Sequence, residues 1–123
     1  MEAQISIYPN YSALASEAAA QIAQVINEAI LTREKCMIAL SGGETPRSVY
    51  HNLGSEPLSK EIDWQKVHLF FGDERMVPAD DPESNFGMVK KELLPNIMIP
   101  DKNIHRIWTE LDADEAAIAY EEE

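Results

Sequence analysis

The sequence predicts an α/β protein in three layers, with helices on both faces of a mostly parallel sheet. Two observations carry this prediction. Short apolar runs typical of buried strands, Cys36–Leu40 and Val67–Phe71, alternate along the chain with segments whose apolar residues recur every three or four positions. Strands that alternate with helices form βαβ units, which build parallel sheets. The length of 123 residues allows one domain and hardly two.

The first predicted elements are a short strand and a long helix. Residues 5–8 alternate apolar and polar side chains before Pro9 and predict a strand. Asn10 can cap a helix that runs to about Lys35, because the apolar residues between them have helical spacing. The run Cys36–Leu40 is too short for a helix, and its continuous apolar character predicts a strand covered on both faces.

Three glycine or proline signals delimit the middle of the chain. Gly42 and Gly43 end the strand, and Thr45 followed by Pro46 predicts a helix with Thr45 as its N-cap. Gly54 is expected to end that helix. The next strand is Val67–Phe71, followed by a loop over residues 76–85.

The last third predicts two more helices around a weaker strand. One helix begins at about Asn85 and ends before Pro95, and residues 104–108 form a fourth strand. Asp112 and Glu115 have the spacing of a capping box at the start of the final helix. That helix has no closing signal and ends in three acidic residues, 121–123, at its negative pole. We therefore expect residues 1–123 to be the N-terminal part of one domain in a longer chain.

Composition excludes several classes of partner. Acidic residues outnumber basic ones 22 to 10, for a net charge of −12, which argues against nucleic acids and anionic membranes as partners. The N-terminus has no basic cluster and no apolar run long enough for a signal peptide or a membrane span. Cys36 is the only cysteine, so no intrachain disulfide can form. A cytoplasmic protein is the expectation.

The first candidate site is the turn of residues 41–45. A buried strand runs into two glycines and then a helix start, where backbone N–H groups and the helix dipole favour an anion such as phosphate. Ser41 and Thr45 add hydroxyl groups. The turn contains neither the Walker A pattern nor the dinucleotide-binding glycine pattern. The alternative is an ordinary strand–helix turn that uses glycine for its backbone freedom.

The second candidate site follows the strand Val67–Phe71. Asp73 and Arg75 lie just past the carboxyl end of that strand, the edge at which open α/β sheets bind ligands. Asp73 can act as or orient a base, and Arg75 can pair with an anion. The alternative is a loop ion pair between Arg75 and Asp73 or Glu74. The three histidines lack metal-ligand spacing, so no metal site is predicted.

Three segments taken together resemble the N-terminal half of the 6-phosphogluconolactonases. They are residues 41–46 (SGGETP), 71–78 (FGDERMVP) and 81–88 (DPESNFGM), in the order and with the spacing of that family. The wider superfamily includes glucosamine-6-phosphate deaminases, in which the acidic motif usually reads Asp-Glu-Tyr. Arg75 therefore favours the lactonase branch.

The resemblance implies roles for residues and a reaction. Ser41, Gly42, Gly43 and Thr45 would form part of the pocket for the substrate phosphate. The implied fold is a modified Rossmann-like α/β/α domain, without metal or cofactor. The implied reaction is hydrolysis of 6-phospho-D-glucono-1,5-lactone to 6-phosphogluconate, in the oxidative pentose phosphate pathway.

In the second site, the resemblance makes Asp73 the acidic site residue and Arg75 a cation that faces the substrate. Family members are about twice as long, and their second half carries an Asp-Gly-His segment with the catalytic base, which residues 1–123 lack. We therefore expect the chain alone to be inactive and prone to self-association. The alternatives are an isomerase or deaminase of the same superfamily, and a non-catalytic module that binds a small sugar phosphate.

Overall fold

The computed structural model describes residues 2–123 and shows helices around a small sheet. The strands are β1 (Cys36–Leu40), β2 (Val67–Phe71) and β3 (Ile104–His105). The helices are α1 (Tyr11–Arg33), α2 (Glu44–Leu53), α3 (Leu58–Glu61), α4 (Asn85–Glu92) and α5 (Ala113–Glu121). No helix in the described range is both long and apolar enough to cross a membrane.

The sheet is parallel throughout, in the order β1-β2-β3. Cys36 pairs with Val67 and Leu40 with Phe71, so β1 and β2 end level with each other. The N–H of Gly72 continues the ladder by donating to the carbonyl of Leu40 at 3.0 Å. The α/β class and the predicted strands Cys36–Leu40 and Val67–Phe71 are thus confirmed, and both candidate motifs start from the same edge of the sheet.

One apolar core joins the sheet to three helices. Helix α1 begins where predicted, with the Asn10 side chain accepting the N–H of Ala13 at 2.8 Å. Its alanine-rich face packs against α2 and β1, and α4 packs against α2 and adds Met88 and Val89 to the same core. Val67 and Leu69 are at most 1% exposed, and burying each such side chain contributes about 1.5–3 kcal/mol.

Only one face of the sheet carries these helices. Met37 is 59% exposed and Ala39 is exposed, so the prediction that both faces of β1 are covered is wrong for these two side chains. The apolar run is typical of a doubly covered strand, yet Met37 only borders an open groove between β1 and α1. Within residues 2–123 the outer edge of β1 also has no strand partner.

Two predicted strands differ from the structure. Residues 5–8 form no strand, and Ile5 and Ile7 are 83% and 91% exposed. The segment lies along α1, where it reaches no strand edge with which to pair. The predicted strand 104–108 is only two residues long, because β3 pairs with Leu69 and Phe70 alone. Beyond it, Arg106 turns to Glu110 and to the ring of Trp108.

The start of α2 is also corrected. The helix begins at Glu44 with Gly43 as its N-cap, so Thr45 is its second residue and does not cap it. Gly43 has a φ of +114°, a conformation that side chains disfavour, and this lets the chain turn into the helix earlier than the Thr-Pro pair predicts. Gly54 follows the last residue of α2, as predicted.

Candidate functional site

The glycine turn joins β1 to α2 and is braced by a tyrosine. The hydroxyl of Tyr50 accepts the N–H of Ser41 at 2.8 Å and lies 3.1 Å from the Ser41 carbonyl, to which it donates. Burial raises the pKa of Tyr50, and the hydrogen bond to Ser41 lowers it in part. The Ser41 N–H is therefore already used. No side chain caps α2, which leaves the first-turn N–H groups of Glu44 and Thr45 for a ligand.

Glu74 ties the end of β2 to the start of α4. Its carboxylate accepts the N–H groups of Asn85 at 2.6 Å and Phe86 at 2.9 Å, and the hydroxyl of Ser84 at 3.3 Å. Ser84 is the N-cap of α4 and accepts the N–H of Gly87 at 3.0 Å. An anion at a helix N-terminus is stabilised by the unpaired N–H groups and the dipole. In the segment Asp73–Arg75, Glu74 therefore has a structural role, because it stabilises the start of α4.

Asp73 lies on the surface and is held from one side. The Nδ2 atom of Asn85 donates to both the carbonyl oxygen and Oδ1 of Asp73, each at 3.1 Å. The carboxylate is otherwise accessible to a ligand.

Arg75 does not form the loop ion pair that was the alternative for this motif. Among residues 2–123 neither Asp73 nor Glu74 lies within 4.0 Å of its guanidinium. Its Nη1 instead donates to the carbonyl of Glu83 at 3.0 Å. That contact leaves most N–H groups of the guanidinium free to bind an anion.

The two candidate motifs meet through Asn85. An atom at the Cβ position of Gly42 would lie 2.0 Å from Oδ1 of Asn85, so the carboxamide occupies the space that a side chain at position 42 would fill. Asn85 thus touches the glycine turn on one side and Asp73 on the other. Parallel pairing of β1 with β2 makes this possible, because it ends both strands at one edge.

A small cavity beside this contact is lined by two arginines. It has a volume of about 150 Å³, and its wall includes Gly43, Arg47, Arg75 and Asn85. Arg47 also reaches Glu44 at 3.4 Å and Glu92 at 3.6 Å. The wall also includes the acidic residues Glu44 and Glu83, so Arg75, which forms no ion pair among the described residues, is the cation here that is left to attract an anion.

Sequence reasoning missed three contributors to this site. Asn85 occurs in a quoted segment, but nothing in the spacing shows that it reaches Asp73 and Gly42. In the sequence Glu74 is one of three consecutive charged residues after β2. Its hydrogen bonds to the start of α4 become visible only in the folded structure. Only Arg47 could have been found from the sequence, because it is one of few basic residues and closely follows the glycine turn.

Two histidines contact each other on the sheet, and the third lies on α2. His68 Nδ1 of β2 and His105 Nε2 of β3 are 3.1 Å apart, and His51 pairs with Glu92 at 3.3 Å. In the described part of the chain, no three His, Cys, Asp or Glu side chains are grouped to hold a metal.

The glycine turn and the acidic loop of this parallel α/β unit meet at the carboxyl edge of the sheet, which is the edge at which open α/β sheets bind ligands. Residues 9–123 match the family described as glucosamine-6-phosphate isomerases/6-phosphogluconolactonase, and the chain belongs to this family.

Relatives with known names are similar over part of their length. The 6-phosphogluconolactonase of Haemophilus influenzae is 45% identical over 86 residues, which are 70% of this chain and 37% of that protein. That of Synechocystis sp. is 37% identical over 124 residues, covering 100% of this chain and 50% of that protein. The structure of 6-phosphogluconolactonase from Trypanosoma cruzi superposes with a TM-score of 0.82 at 30% identity, covering 98% of this chain and 49% of that one. The chain spans about half the length of most such relatives.

Proposed function

We propose that residues 1–123 are the N-terminal part of a 6-phosphogluconolactonase, which hydrolyses 6-phospho-D-glucono-1,5-lactone to 6-phosphogluconate. The observation that carries this proposal is the contact between Gly42 and Asn85, because it places the glycine turn beside the Asp73–Arg75 loop, so that one ligand could touch both. The names of the relatives support the same reaction.

In this proposal the phosphate of the substrate binds at the glycine turn. The free N–H groups at the start of α2 and the hydroxyls of Ser41 and Thr45 supply donors. Gly42 and Gly43 permit the close approach. No metal or cofactor is required, because backbone donors and arginines suffice to hold a phosphate.

The reaction itself is the attack of water on the lactone carbonyl. A base takes a proton from water, the oxygen bonds to the carbonyl carbon, and the ring ester bond breaks as the ring oxygen receives a proton. Arg75 would stabilise the oxyanion, and Asp73 would orient the substrate or the water. The bound phosphate would position the ring.

The base that activates water is proposed to lie outside residues 1–123, in the Asp-Gly-His segment that the resemblance implies and this sequence lacks. The chain alone would then bind sugar phosphates without hydrolysing the lactone. Within the chain, His68 and His105 bond to each other, and none of the three histidines lies in an Asp-Gly-His segment that would supply that base.

The open sheet is proposed to be covered by the rest of the domain. The free edge of β1, the exposed Met37 and an apolar groove of about 400 Å³ between β1 and α1 would be buried there. When that half is absent, the same surface would drive self-association. The cytoplasm is the proposed compartment, since the only cysteine, Cys36, is a buried free thiol.

Three measurements test the function. The protein, joined to the second half of the Synechocystis relative, should hydrolyse the lactone faster than the spontaneous rate, which must be subtracted. Release of ammonia from glucosamine 6-phosphate would instead identify a deaminase. Binding of 6-phosphogluconate without either activity would identify a non-catalytic binding module.

A further inference from the structure

The side chain of Asn85 is buried at the candidate site, and its amide nitrogen donates to two oxygens of one residue. The residue is 4% exposed. Its Nδ2 donates to the carbonyl oxygen and to Oδ1 of Asp73, each at 3.1 Å. Asp73 itself is exposed, and the bond to Oδ1 is the one that restricts its side chain, while the bond to the carbonyl oxygen anchors the carboxamide on the same residue. A buried amide that donates to an exposed carboxylate orients that carboxylate.

The orientation of this carboxamide is determined by its neighbours. If the amide were flipped, its oxygen would face the two oxygens of Asp73, which have no hydrogen to donate. The oxygen therefore faces Gly42, where a Cβ atom would lie 2.0 Å from Oδ1 and 2.6 Å from Cγ. Any side chain at position 42 would displace the carboxamide from Asp73.

The start of α4 does not depend on this carboxamide. The backbone N–H of Asn85 donates to Glu74, and Ser84 caps the helix with its own hydroxyl. Removing the Asn85 side chain leaves both interactions in place. Its contribution is thus separable from that of the helix cap.

We propose that Asn85 is a positioning residue, whose carboxamide holds the Asp73 side chain in one orientation against the glycine turn. The inference rests on the proposed function in one respect, that Asp73 and the turn serve the same ligand. Gly42 has a defined part in this arrangement, since the absence of a side chain leaves room for the carboxamide. Asn85 acts through Asp73 and need not touch the substrate.

The first test needs no ligand. Three-bond NMR couplings to the Asp73 carboxyl carbon should show one χ1 rotamer in the unmodified chain and averaged rotamers in Asn85→Ala and in Gly42→Ala. Gly72→Ala is the matched control, because a Cβ there meets only the Leu40 carbonyl at an ordinary 3.6 Å. If Asn85→Ala does not fold, the same couplings are measured in Asn85→Ser. A single Asp73 rotamer in every folded variant would overturn the proposal.

The second test uses 6-phosphogluconate as the probe. Asn85→Ala should weaken binding about tenfold, as expected when a ligand must order a mobile side chain. Asn85→Asp should weaken it more than Asn85→Ala does, because it places a second carboxylate beside Asp73. Unchanged affinity in Asn85→Ala with averaged Asp73 rotamers would refute a positioning role. If the unmodified chain binds no 6-phosphogluconate, the proposed function fails, while the couplings still decide whether Asn85 orients Asp73.

Discussion

The backbone N–H of Asn85 donates to the carboxylate of Glu74 at 2.6 Å, a bond that joins the loop after β2 to the first residue of α4. The same carboxylate accepts the N–H of Phe86. Glu74→Ala should therefore lower the free energy of unfolding by about 1–2 kcal/mol, the usual cost of a lost helix cap.

Urea unfolding followed by circular dichroism measures this change. Glu56→Ala is the control, since Glu56 forms only an exposed ion pair with Lys60 and its loss should cost less than about 0.5 kcal/mol. Equal midpoints for the two variants would contradict the role of Glu74.

The glycine turn is tested by comparing two substitutions. Gly43→Val places a branched side chain at a φ of +114° and beside the free N–H groups, so it should weaken 6-phosphogluconate binding at least about tenfold. Ser41→Ala removes one hydroxyl and should have the smaller effect. Calorimetry on the folded variants measures the two affinities. Unchanged affinity in Gly43→Val would show that the glycine turn does not bind 6-phosphogluconate.

The roles of Asp73 and Arg75 are tested in the two-half lactonase described above. Arg75→Lys keeps the charge but loses the planar fork, and Asp73→Asn keeps the shape but loses the charge. Both should reduce kcat/KM by about tenfold or more. Rates within about twofold of the unmodified enzyme in both variants would rule out the proposed roles.

The His68–His105 contact predicts how stability depends on pH. Burial lowers the pKa of His68 below its ordinary value of 6.5, and the charges of His105, Lys35 and Lys102 lower it further. The folded state thus favours neutral His68. The resulting stability is present above pH 6.5 and is lost as the pH falls through the lower pKa of the folded state.

Unfolding free energies measured between pH 8 and pH 5 test this dependence. His68→Gln should flatten the decrease, whereas His51→Gln, whose side chain is 65% exposed, should retain it. An unchanged slope in His68→Gln would show that other groups cause the loss.

The open face of the sheet predicts self-association of residues 1–123. Met37→Lys places a charge on that face and should shift the protein toward monomer in size-exclusion chromatography with light scattering. Met98→Lys is the matched control, because Met98 is 83% exposed but lies outside the sheet. A monodisperse monomer that unfolds cooperatively and hydrolyses the lactone would overturn both the association and the expected inactivity.

Local patterns determined most elements of this protein. The apolar runs of β1 and β2, the Asn10 cap and the Asp112 capping residue are features of a few neighbouring residues, and each appears where the sequence predicts it. The edge on which both motifs lie also follows from the sequence, since parallel strands end at one side.

Only tertiary structure decided how the motifs join. Asn85 and Gly42 are 43 positions apart, and no spacing rule shows that a carboxamide fills the space above that glycine. The same limit explains the errors at the N-terminus and at β1. The side-chain patterns of residues 5–8 and of Cys36–Leu40 show which residues a strand could bury. Whether a segment pairs with another strand, and whether a helix covers its faces, depends on which distant segments pack beside it.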